Sequence, residues 1–247
     1  ILIQLCAYAG DSLSVVYRIR LDSDIDKSSQ RLVTLGLEKA REAGADYVMI
    51  DLDTYGGAVD AADSIRSAIL RYEKPVVAYV NMQAASAGAL ISIACDSIYM
   101  KTGSSIGAAT VVDQTGNVMP DKYQSFMRGM MRSTAQANGR DPHIAESMTD
   151  TANVLSMTPS EAIEVGYCEG IYESVGEVAH AMVGSNDFII KMAEGGVSCN
   201  VHYKPLPMHT AYKNLGFDIS DYPNAYAHFA NEISLPLHTC LTDEDAE

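Results

Sequence analysis

One stretch restricts the fold more than any other. Pro75-Val76-Val77-Ala78-Tyr79-Val80 is an apolar, β-branched run with the pattern of a buried strand. Leu90-Ile91-Ser92-Ile93-Ala94-Cys95 has the pattern of a buried helix. Between them lies Asn81-Met82-Gln83-Ala84-Ala85-Ser86-Ala87-Gly88-Ala89, which puts Ser86 at a strand-to-helix turn with small residues on both sides. Small neighbours let another backbone approach closely. The start of a helix adds unpaired amides and a positive field beside the serine hydroxyl. That arrangement suits acyl transfer. It suits equally a serine in a tight packing turn, and this stretch alone does not separate the two.

The same alternation runs through the first half of the chain. Ser14 to Arg20 alternates as a strand, with Val15, Tyr17 and Ile19 on one face. Ser28 to Ala43 reads as a helix, with Leu32, Leu35 and Ala40 on one side and Gly44 as its stop. Tyr47 to Asp53 is a second buried strand and Thr54-Tyr55-Gly56-Gly57 a turn. Ala58 to Tyr72 is an amphipathic helix with Val59, Ala62, Ile65, Ile69 and Tyr72 toward the core. Strand–helix–strand–helix order predicts an α/β domain with parallel strands. The glycine turn and the serine turn both fall at C-terminal ends of strands, where such sheets place their active sites. Further on, Pro120 opens a long helix carrying Tyr123, Phe126, Met127, Met130 and Thr134, closed by Asn138-Gly139. Thr158-Pro159-Ser160-Glu161 is a capping box, and Gly166 stops the short helix it starts. From about Phe188 the rhythm is lost, which sets a segment boundary near Ser185–Asp187.

Composition narrows the function. The net charge is −15 and no basic run occurs, which argues against nucleic-acid binding. It also disfavours docking on an anionic membrane through charge alone. The five cysteines show no CxxC spacing, so neither a zinc site nor a disulfide framework is indicated. No metal and no cofactor is expected. Ile1 to Ala9 is too short to span a bilayer and resembles the end of a signal-peptide apolar region. Ala7-Tyr8-Ala9 would be its small-x-small cleavage pattern. An ordinary first strand is the alternative reading.

A nucleophilic serine needs a base. His143 lies in a polar stretch after the long helix and His180 beyond the capped helix, so a Ser-His-Asp triad fits poorly. A Ser-Lys dyad comes next, with Lys101 and Lys122 as candidates. Lys101 reads as a solvated turn lysine. Lys122 falls in the first turn of the long helix, where the helix field and apolar neighbours would disfavour the ammonium. An exposed surface lysine is the alternative. For an oxyanion hole, the amides of Ala87 and Gly57 are the candidates.

These segments together carry a family resemblance. Asp53-Thr54-Tyr55-Gly56-Gly57, Ala84-Ala85-Ser86-Ala87-Gly88-Ala89, Ser104-Ser105-Ile106-Gly107-Ala108-Ala109 and Glu161-Ala162-Ile163-Glu164-Val165-Gly166-Tyr167-Cys168 resemble the Clp-class membrane-associated serine peptidases called NfeD proteins. The resemblance runs from about residue 10 to about residue 180. It implies a ClpP/crotonase-type α/β fold of repeated ββα units, a Ser86–Lys122 dyad and an oxyanion hole at Gly57 and Ala87. It also implies an exported, periplasmic or membrane-associated peptidase. Its substrates would be apolar segments of stomatin-like membrane proteins, and it would form a homo-oligomer, at least a dimer. Many members have proline where this chain has Tyr55, which should alter the substrate groove. Tyr55, Met82, Phe126 and Met127 are the expected wall of that groove.

A second resemblance covers about Phe188 to Glu247. Asn200 to Met208, Tyr212, Gly216, Tyr222-Pro223 and Ser234-Leu235-Pro236-Leu237 resemble the C-terminal end of DegT-type sugar aminotransferases. That fragment lacks the family's pyridoxal-phosphate lysine region, so no bound cofactor is expected. His202 and His209 form no ligand face, because Pro205 and Pro207 break any helix between them, and Lys204 and Lys213 do not match the family's Schiff-base position. The expected organisation is a signal remnant at 1–9, a peptidase domain at 10–187 and an aminotransferase-like fragment at 188–247. Two other readings of the whole remain open here: a crotonase-like acyl-CoA enzyme, and a catalytically idle scaffold that binds a membrane protein.

Overall fold

The computed structural model describes residues 15–113, 115–183, 206, 215–222 and 224. The signal-like start and His202, Lys204, His209 and Lys213 lie outside them. The chain divides into two compact units, the larger containing Ser14–Val178 and the smaller Ala179–Glu247.

The larger unit is built on a parallel sheet. Its strands are β1 (Val16–Leu21), β2 (Tyr47–Thr54), β3 (Val76–Ala85), β4 (Ser97–Met100) and β7 (Gly170–Ile171), hydrogen-bonded in that order. Helices α1 (Lys27–Glu42), α2 (Val59–Leu70) and α3 (Ala87–Ile93) connect the first four strands. One face of the sheet, with Ile19, Leu21, Ile50, Leu52, Ala78 and Val80, is fully buried in the main core. The other face carries Val16, Met49, Val77 and Tyr79, also buried, and an Arg18–Asp51 ion pair.

Local chemistry fixes the element ends. The Asp26 carboxylate accepts from the Ser28 and Ser29 amides at 2.8 and 2.9 Å, and Ser29 Oγ returns the bond to the Asp26 amide, closing a capping box on α1. The buried residues of α1 include Val33, Gly36, Leu37 and Ala40, so the core face is rotated from the expected one and Leu35 sits at its margin. Gly36 is the reason: a Cβ there would meet Ile19 Cδ1 at 2.6 Å, so the helix presses its glycine onto β1.

β3 is longer than its apolar run. Val77 to Val80 pair with β4, whereas Gln83 to Ala85 pair with β5 (Ser105–Gly107). The sheet therefore forks at Asn81-Met82, and β5 in turn pairs antiparallel with β6 (Ser156–Met157). Between β2 and β3 the register slips, from Leu52↔Val80 to Thr54↔Ala84. Asp53 Oδ1 covers the gap by accepting from the Gln83 amide at 3.2 Å. Together the fork and the slip bring the ends of β2, β3 and β5 to one place.

Two further helices brace α3. Helix α4 (Asp121–Ala137) is followed by α5 (Pro142–Ser147), and Asn138, just past the end of α4, donates from Nδ2 to the Ile93 and Cys95 carbonyls at 2.8 and 3.3 Å. Those carbonyls belong to the C-terminal end of α3, which otherwise lacks partners for them. The buried Arg140 adds bonds to the Cys95 and Asp96 carbonyls at 2.8 and 3.3 Å and an ion pair with Glu169. The capping box of Thr158 and Glu161 forms as the sequence predicts and starts α6 (Pro159–Glu164). Helix α7 is Val175–Val183, and a 3-10 helix covers Ile219–Asp221.

Candidate active site

Ser86 stands where β3 turns into α3, with φ 54° and ψ −114°. Among the described residues only Ala108 is another non-glycine with positive φ. Such a conformation stores on the order of 1–3 kcal/mol and persists only when its surroundings hold it. Here the Ser86 amide donates to the Gly107 carbonyl at 2.9 Å, and the Ser86 carbonyl accepts from Ala89 at 3.0 Å. The backbone is thereby tied to β5 on one side and to α3 on the other. The hydroxyl does not cap the helix it precedes. The half-buried Ser86 Oγ has no hydrogen-bond partner among the described residues, which leaves it free to react.

The glycine turn packs directly on this serine. A Cβ built on Gly56 would lie 2.7 Å from Ser86 Cβ and 3.1 Å from Ser86 Oγ. Gly56 and Gly57 have φ of 118° and 151°, which a side chain rarely permits. The turn is held from the β1–α1 loop. The Ile25 amide donates to the Gly56 carbonyl at 2.8 Å, and the Ile25 carbonyl accepts from the Ala58 amide at 2.7 Å. The amide of Gly57, between them, has no acceptor among the described residues, and neither does that of Ala87 at the first position of α3. Two amides without acceptors thus lie close to Ser86, one directly after it and one in the turn that packs on it.

The other expected residues fall differently. Lys122 does lie in the first turn of α4, but it is exposed, with no ion pair or hydrogen bond among the described residues. Apolar neighbours therefore do not cover it within this chain as the sequence suggests. Tyr55, Met82 and Phe126 are 79%, 46% and 61% exposed and available to a ligand, whereas Met127 is 2% exposed and packs in the core. Met127 is thus a packing residue of α4 rather than a wall. No group of His, Cys, Asp and Glu able to hold a metal ion occurs among the described residues. His143, on α5, is exposed.

Sequence reasoning missed Ile25 and the carbonyl of Gly107. Ile25 carried a signal: it is a lone apolar residue between Asp24 and Asp26, and it is buried.

Residues 15–192 match the family model of the NfeD1b N-terminal domain. Residues 142–247 match that of the DegT/DnrJ/EryC1/StrS aminotransferase family. The second match begins well inside the larger unit, where β6 and β7 are already bonded into the sheet. The chain is 36% identical over 171 residues to membrane protein NfeD1b of Bacillus subtilis, covering 65% of this chain and 39% of that protein. It is 31% identical over 173 residues to the membrane-bound protease PH1510 of Pyrococcus horikoshii, covering 67% of this chain and 39% of that protein. The chain thus spans 39% of the length of each of these curated relatives. A 55-residue stretch is 33% identical to the spore coat polysaccharide biosynthesis protein SpsC of Bacillus subtilis, covering 22% of this chain and 14% of that protein.

Among solved structures, the 1510-N membrane-bound stomatin-specific protease, in a serine-to-alanine mutant, superposes with a TM-score of 0.62 at 30% identity, covering 66% of this chain and 82% of that one. Its lysine-to-alanine mutant, in complex with a substrate peptide, gives 0.61 at 30% identity, covering 66% and 77%. ClpP1 from Listeria monocytogenes, at 19% identity, TM-score 0.54 and coverages of 64% and 92%, shares the fold. The architecture is ClpP-like.

Proposed function

This chain belongs to the NfeD1b N-terminal domain family, and we propose that it is a serine endopeptidase with a Ser-Lys dyad that cleaves apolar segments of membrane-associated, stomatin-like proteins. The observation that carries the reading is Ser86 itself. It is held at positive φ, its hydroxyl caps nothing, and unpaired amides of Gly57 and Ala87 flank it. The stomatin-specific protease of similar structure supports the substrate class.

In this mechanism Ser86 Oγ attacks the scissile carbonyl and Lys122 Nζ takes the hydroxyl proton. The Gly57 and Ala87 amides receive the negative charge that develops on the carbonyl oxygen. The proton then passes to the leaving amine, and water releases the acyl group from Ser86. A lysine that acts as base must accept the proton as the neutral amine. Covering it with an apolar substrate, or with a second copy of the chain, would strip its water and favour the neutral amine. The exposed side chains of Tyr55, Met82 and Phe126 provide an apolar lining suited to such a substrate. No cofactor enters this chemistry.

We further read the protein as exported, periplasmic or membrane-associated; its curated relatives are a membrane protein and a membrane-bound protease. No helix of the described residues is long and apolar enough to cross a membrane.

Cleavage of an apolar peptide taken from a stomatin-like protein tests the reading. Wild type should cleave it, and Ser86→Ala and Lys122→Ala should each lose turnover by orders of magnitude. Near-native turnover by Lys122→Ala would remove the lysine from the dyad. Preference for charged residues on both sides of the cut would remove the apolar groove.

A further inference from the structure

We infer that Thr54 is the positioning residue of the oxyanion hole, because this one side chain touches the backbone on both sides of Ser86. The inference rests on the peptidase reading above and extends it to a residue that forms no bond in the reaction.

Thr54 ends β2 and is buried. Its Oγ1 donates to the Ser23 carbonyl at 2.7 Å and accepts from the Gly56 amide at 3.1 Å. Of the three successive amides of the turn, Gly56 is thereby engaged by Thr54 and Ala58 by Ile25, which leaves only Gly57 without an acceptor among the described residues. The hydroxyl therefore decides which amide the turn leaves free. The methyl of the same side chain faces the other way. A Cβ on Gly88 would lie 2.8 Å from Thr54 Cγ2, so the first turn of α3, with the Ala87 amide, rests against that methyl. The hydroxyl fixes the donor of the turn, and the methyl contributes packing beneath α3. A donor displaced by a fraction of an ångström binds the developing oxyanion less well while ground-state binding changes little.

Thr54→Val and Thr54→Ser separate the two halves of the side chain. Valine keeps the methyl packing and removes the hydroxyl. Serine keeps the hydroxyl and removes the Cγ2 methyl. The readouts are kcat and KM on the apolar peptide, the second-order rate of labelling by a fluorophosphonate and the melting temperature of each variant. Thr54→Val is expected to lower kcat and the labelling rate by about tenfold to a hundredfold with KM within about twofold of wild type. Thr54→Ser is expected to stay within about threefold of wild type in rate even though lost packing lowers its melting temperature. A purely structural role would instead order the rates by melting temperature.

Thr54→Val reacting at the wild-type rate overturns the inference. If Thr54→Val does not fold, a folded Thr54→Ser that loses tenfold or more in kcat overturns it by itself. Wild type that is labelled normally while Thr54→Val matches it sinks this inference alone. Wild type that is not labelled at all sinks the peptidase reading and this inference with it.

Discussion

Gly56 lies against Ser86 so closely that any side chain on it would occupy the space in front of the serine hydroxyl, 3.1 Å from Ser86 Oγ. At φ 118° the position also disfavours every residue with a Cβ. Gly56→Ala should therefore cost about 1–3 kcal/mol of stability through backbone strain. It should also lower the rate of serine labelling by at least about a hundredfold, since the nucleophile must move to clear the methyl. Chemical denaturation and probe kinetics on the same preparation check both. A Gly56→Ala protein with native labelling kinetics would show that the turn is not part of the site.

The strain at Ser86 has a signature of its own. Glycine adopts φ near 54° far more readily than alanine, whereas both remove the hydroxyl. Ser86→Gly should accordingly be more stable than Ser86→Ala by about 1 kcal/mol. Neither should react with a serine probe. Equal melting temperatures for the two would mean that the turn relaxes and stores no strain.

Much of this was legible in the sequence, for reasons that can be named. Ser86 and the Gly56-Gly57 turn stood out because small residues at strand ends are a local signal. The capping box of Thr158 and Glu161 is written within four residues. Other features depend on contacts distant in sequence. Leu35 looked like a core residue of α1 until the pressure of Gly36 on Ile19 turned the helix. Asn81 to Ala85 lack an apolar pattern, yet they extend β3 because β5 arrives to pair with Gln83, Ala84 and Ala85. Strands as short as β6 and β7 carry no periodicity to read. Met127 and Phe126 are adjacent on α4, and only the packing reveals that the former is core and the latter exposed.

Arg140 is the clamp at the far end of α3, the helix that Ser86 precedes. Its guanidinium donates to the Cys95 and Asp96 carbonyls and pairs with Glu169, whose other oxygen accepts from the Ile98 amide at 2.5 Å. Arg140→Met would remove the guanidinium's bonds to the Cys95 and Asp96 carbonyls and to Glu169, leaving Cys95 only the 3.3 Å bond from Asn138, and should destabilise the fold by about 3 kcal/mol. Urea denaturation measures it. A loss below about 1 kcal/mol would indicate that water replaces the guanidinium without penalty.

Alkaline pH should destabilise the core. Burial pushes the Tyr79 and Tyr167 hydroxyls up to about 12 and the Cys168 thiol up to about 11, and raises Cys95 further. In the unfolded chain these groups ionise near their ordinary values of 10.0 and 9.0. Their contribution to stability is therefore complete below about pH 9 and is lost as pH rises through about 12. Melting temperature should fall steadily across that window. Cys95 and Cys168 should also resist alkylation at pH 8 until denaturant is added. Rapid alkylation of either thiol in the native protein would contradict their burial.

The most direct test of the account is to react the native protein with a fluorophosphonate and locate the modified residue by peptide mass mapping. The account predicts a single phosphonyl group on Ser86, absent from Ser86→Ala and formed more slowly in Lys122→Ala. Labelling on another residue, or undiminished labelling of Ser86→Ala, would contradict it.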